Sequence, residues 1–129
     1  MDMMNAINTL DLDHVTKRME TRSGYEQQAA VTATDLYRKF LYLKVTHPNE
    51  ILVPPRLVDE AWHEHILSTS EYTADCLKLC GAYIHHNPDL QSEAHHKGWA
   101  RTKALFASEF GVNLEQATEE GLRIAGRSA

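Results

Sequence analysis

The sequence predicts an all-α protein, a single compact domain of five to six helices. Three observations carry that prediction. Apolar residues recur in steps of three and four along most of the chain, the period of one face of a helix. No segment alternates at period two, as a half-buried strand does. The periodic segments are separated by helix punctuation at Gly24, Pro48, Pro54-Pro55, Gly81 and Gly111.

The first helix is expected from about Asp11 to Thr21, with Leu12, Val15 and Met19 on one face. Ser23 and Glu26 have the spacing of a capping box, in which each side chain accepts from the other residue's free backbone N–H. That box opens the clearest amphipathic helix: Tyr25, Ala29, Thr32, Leu36, Phe40 and Leu43 lie on one face, and Pro48 ends it. His47 to Val53 reads as a loop or short extended piece. Pro54-Pro55 then starts a helix, because proline is tolerated in a first turn. Ser68 with Glu71 is a second capping box, so the Trp62 helix breaks near Ser68 and a new one carries Tyr72, Cys76, Leu79 and Cys80. His85 to Gln91 is a loop marked by Asn87-Pro88-Asp89. A further helix runs from about Ser92 to Phe110 with Trp99, Leu105, Phe106 and Phe110 inward, stopped by Gly111. A short, weakly apolar helix follows Asn113. The long apolar face from Tyr25 to Leu43 needs a partner to bury it, and the Trp62 helix is the expected one.

A chain of 129 residues is long enough for one ordinary core, so residues 1–129 are read as a single domain. Its hydrophobic share of 43% and charged share of 24% are those of a globular protein. No apolar run approaches the ~20 residues of a bilayer span, so no membrane association is expected. Met1 to Asn5 lacks the basic and apolar stretches of a signal peptide. A net charge of −5 argues against a duplex nucleic-acid partner, which requires a basic face. Only Cys76 and Cys80 are cysteines; four apart on a helix, they suit paired thiols or soft-metal ligands better than a disulfide. A reducing, cytoplasmic compartment follows as the expectation.

The residues with chemistry at neutral pH concentrate between Asp59 and His86. Asp59 and His63 are four apart and share a helical face, where a carboxylate orients the imidazole or joins it as a ligand. His63 and His65 diverge by ~200° on a continuous helix, so joint ligation requires unwinding near His65. His65, Tyr72 and Cys76 would share a face if the helix were unbroken. Cys76 and Cys80 could hold half of a tetrahedral zinc site, but free cysteines more often act as small buried fillers. His85 and His86 sit on a loop, where functional side chains are common. His95 and His96 fall on the polar side of the last long helix. Trp62, Tyr72 and Phe40 are the expected structural core, led by the large apolar area of the indole.

The run Val58-Asp59-Glu60-Ala61-Trp62-His63-Glu64-His65-Ile66-Leu67, followed by Thr69, Tyr72, Asp75-Cys76, Gly81 and His85-His86-Asn87-Pro88, resembles the glycine-rich domain-containing protein-like family. Tyr37-Arg38-Lys39-Phe40-Leu41 upstream and Thr102, Leu105-Phe106 and Phe110-Gly111 downstream are similar to it too, so the resemblance covers residues 30–112. With six glycines and no glycine-rich tract, the chain looks like a short, bacterial-type stand-alone member. The resemblance implies that His63, His65, Cys76 and His86 form one unit, and carries no activity with it.

Three functional readings follow. In the first, His63, His86 or His85, and Asp59 or Cys76 meet and hold zinc or iron, zinc for mixed N, O and S ligands and iron for two histidines and a carboxylate. His65 is a further candidate ligand. In the second, the domain is a non-catalytic protein-interaction or scaffold module whose histidines and Trp62 are structural. In the third, a metal-free enzyme uses a Cys–His or His–Asp pair. Partners are accordingly a protein or a small molecule.

Overall fold

Among the residues described by the computed structural model, 2–87 and 89–125, the chain forms seven α-helices and no strand. Met1 and Pro88, both named above, lie outside those residues. The helices are α1 (Met3–Asn8), α2 (Asp13–Thr21), α3 (Gln27–Thr46), α4 (Arg56–Leu67), α5 (Thr69–Cys80), α6 (Ser92–Phe110) and α7 (Leu114–Ile124). The helix beyond the expected five to six is α1. At six residues it is too short for apolar periodicity to reveal. It is held from outside: Asp2 accepts from the Asn5 N–H, and the Arg38 guanidinium donates to the Ile7 and Leu10 carbonyls at 2.6 and 2.7 Å.

Both capping boxes are corrected. The Ser23 hydroxyl donates to the Glu64 carboxylate at 2.9 Å, so Ser23 is drawn to α4 and α3 begins four residues later, with Glu26 as its cap. Ser68 ends α4 and precedes α5 as expected, but its hydroxyl donates back to the Glu64 carbonyl instead of capping α5. A local sequence rule weighs only neighbours on the chain, and in both places a group on another turn or element offers the better acceptor.

Helix α3 is the centre of the fold, contacted by α1, α2, α4 and α7. Of the expected stripe, Tyr25, Ala29, Leu36, Phe40 and Leu43 are buried and Thr32 is only partly so, while Ala30, Ala33, Tyr37 and Leu41 are buried as well. A helix packed on several sides buries more than one face, and alanines let its neighbours approach closely. Helix α4 packs on α3 through Phe40 and Trp62, whose rings are 5.4 Å apart. Trp62, Tyr72 and Phe40 are all buried.

The segment from Glu50 to Pro55 runs beside α6. The Val53 N–H donates to the Gly98 carbonyl at 3.4 Å, and Arg101 pairs with Glu50. A Cβ on Gly98 would stand 2.7 Å from Val53 Cγ2 and 3.2 Å from the Ile51 carbonyl. Gly98→Ala is therefore expected to cost roughly 1–3 kcal/mol through overpacking. Urea unfolding checks this; an unchanged midpoint would mean that the segment yields freely.

Candidate metal centre

Helix α4 presents Asp59 and His63 one turn apart, and the loop after α5 brings His86 onto them. The His86 Nε2 lies 2.5 Å from Asp59 Oδ1, and the His63 Nε2 lies 3.7 Å from Asp59 Oδ2. The two imidazoles are 4.8 Å apart, tilted by 32°. One ligand atom from each of the three residues falls within 4.8 Å of the other two.

A buried relay fixes the loop that delivers His86. The Trp62 indole N–H donates to the Tyr72 hydroxyl at 2.9 Å, and that hydroxyl donates to the Ile84 carbonyl at 2.5 Å. Ile84 is thus tied to α4 and α5 two residues before His86. The His86 ring then packs on the Trp62 ring at 4.2 Å. Burial raises the Tyr72 phenol well above its ordinary value, so it remains a hydrogen-bond donor.

The triad stands in a cleft of about 680 Å³, bounded by α4, the segment from Glu50 to Pro55, the histidine loop, α6 and α7. Trp62 contributes to the wall as well as to the core, and the cleft also contains Trp99, Leu90 and Ile51. Lys44, near the C-terminal end of α3, sets its ammonium 5.7 Å from the centre of the Trp62 ring. Burial pushes that ammonium down from its ordinary value.

His65 lies elsewhere. It is 1% exposed, between Tyr37, whose hydroxyl is 2.7 Å from Nδ1, and Asp75, whose carboxylate is 2.8 Å from Nε2. Burial lowers its pKa, against the pull of Asp75 in the other direction, and favours the neutral ring. With Nε2–H donating to Asp75 and Nδ1 accepting from Tyr37, both ring nitrogens are satisfied. His14, on α2, completes a second group with His65 and Asp75 whose ligand atoms also fall within 4.8 Å of one another.

Of the sequence candidates, Asp59, His63 and His86 come together. His85 is exposed against Tyr83 on the cleft rim, outside the triad. Cys76 is buried, and burial raises its thiol above the ordinary value. Hydrogen bonds with the Ile84 backbone and the Tyr72 side chain oppose that rise. Cys80 departs from the buried-filler expectation: it is exposed, with its sulfur near the Cys76 and Ala82 carbonyls. At the last residue of α5, the helix has already carried it past the core. His95 and His96 are exposed.

Three residues escaped the sequence reading. Lys44 has the appearance of any surface lysine. His14 has no partner nearby in the chain. Glu64 is buried although charged, held by Arg18 at 3.1 Å, Arg22 at 3.5 Å and Ser23. Its partners are more than forty positions away, beyond any local spacing rule.

No helix among the described residues is long and apolar enough to cross a membrane. The chain belongs to the UCP032817-like family, which matches residues 5–119. This corrects the resemblance to the glycine-rich domain-containing protein-like family, drawn from residues between about 30 and 112; the match found spans residues 5–119 and belongs to a different family. No curated protein and no solved structure matches the chain.

Proposed function

We propose that, in this member of the UCP032817-like family, Asp59, His63 and His86 hold one divalent cation, zinc or ferrous iron, at the wall of a small-molecule cleft. The observation that carries this reading is the convergence of the three ligand atoms within 4.8 Å, from a helix and a separately anchored loop. Donor atoms on one tetrahedral zinc stand roughly 3.3 Å apart, so small side-chain rotations suffice. Two imidazoles and one carboxylate suit either metal and leave coordination positions open. A cation held this way would polarise an oxygen of a bound molecule or lower the pKa of a bound water.

The Asp59 group is favoured over the His14 group because of what surrounds each. His63 is half exposed and only 3.7 Å from its carboxylate, so its nitrogen is available. His65 has both nitrogens committed in a buried network, a structural role for which it is well suited.

The test is metal addition to protein purified without a chelating resin. Zinc, or ferrous iron under anaerobic conditions, should bind with one-to-one stoichiometry and raise the melting temperature, the added stability being about 2.7 kcal/mol once free metal is a hundredfold above Kd. His63→Ala and His86→Ala should each abolish the increase, while His95→Ala and His96→Ala keep it. Retention of full metal stabilisation in both triad variants would refute the assignment and leave the interaction-module reading.

A further inference from the structure

Resting on the metal reading, we infer that the cleft takes a small monocarboxylate with an apolar body, its carboxylate drawn by Lys44 and the cation held by Asp59, His63 and His86. The cleft places one ammonium and the metal triad among aromatic and aliphatic walls.

Lys44 is half buried, with its ammonium over the Trp62 ring. Among the described residues no carboxylate is in ion-pair contact with it. The cleft's other charges are differently placed. Glu50 is engaged by Arg101, Glu115 by Lys103, and Arg56 by Glu60. Glu119 is exposed to solvent, where its field is screened. A half-buried ammonium without an anion is a costly arrangement, relieved by an anion entering the cleft. The Trp62 ring links the two polar parts, since Lys44 stands by it and His86 packs against it at 4.2 Å. Trp99, Leu90 and Ile51 would cover the apolar body of the ligand. A volume of about 680 Å³ lies within the range of small-molecule sites and exceeds what a simple anion needs.

The probe is phenylacetate, with phenylacetamide as its neutral counterpart, titrated into wild type, Lys44→Met and Lys44→Arg loaded with cobalt(II). Calorimetry reads affinity, the cobalt visible absorption reads the metal, and thermal melting checks that each variant is folded. Wild type should bind phenylacetate saturably with a change in the cobalt bands, and phenylacetamide at least about tenfold more weakly. Lys44→Met should weaken phenylacetate by about tenfold or more with cobalt affinity unchanged, and Lys44→Arg should recover part of the loss. The inference is overturned if wild type does not bind phenylacetate, if the amide binds as well as the acid, or if Lys44→Met binds like wild type. Failure of cobalt to bind wild type refutes the metal reading instead. The same calorimetric comparison on metal-free protein then decides the carboxylate site, which stands if Lys44→Met weakens binding and falls if it does not.

Discussion

Trp62→Ala is expected to lower the free energy of unfolding by about 3–5 kcal/mol, read from urea or thermal unfolding. The indole is 2% exposed and packs on Phe40 of α3, so its removal leaves a cavity at the main helix–helix contact. The loss goes beyond volume. Without the indole N–H, the Tyr72 hydroxyl loses one of its two partners in the relay to the Ile84 carbonyl. The His86 ring and the Lys44 ammonium lose the surface they pack on. Trp62→Phe should recover much of the stability while leaving the relay broken, so it separates packing from hydrogen bonding. A loss under about 1 kcal/mol for Trp62→Ala would mean that the ring serves the cleft and not the core.

Glu64→Ala is the second large effect, expected at roughly 2–4 kcal/mol. The carboxylate is buried and accepts from Arg18 and Ser23, which ties α4 to α2 and to the turn before α3. Removing it strands the Arg18 guanidinium, which is partly accessible to water at 29% exposure, and this moderates the cost. A double-mutant cycle with Arg18→Met should give a coupling above about 1 kcal/mol. Additive effects of the two substitutions would show that the pair is hydrated and contributes little.

Trp62 could be read as core because an indole has so much apolar area to bury. Glu64 could not, because a glutamate on a helix is ordinarily solvated and only the approach of Arg18 and Ser23 makes its burial tolerable. The helices themselves were largely legible, since periodicity, prolines and glycines act over a few residues. The αL stop at Gly111, with φ of 65°, falls where that reasoning put it. Helix α1 was not legible, being too short for periodicity and held by Arg38 from a distant position. Ser23 was misassigned as the α3 cap because its distant partner Glu64 could not be foreseen; Glu26 caps α3 instead.

The same division runs through the site. The sequence by itself determined that Asp59 and His63 share a face of α4 and that His63 and His65 point apart, because both follow from 3.6 residues per turn. Only the tertiary structure decided that His86 meets Asp59 and His63, that His65 is enclosed by Tyr37 and Asp75, and that Lys44 joins the cleft of the triad. Helical geometry sets directions within an element. Which elements those directions meet depends on how the whole core packs, and that is a property of contacts between residues far apart in the chain.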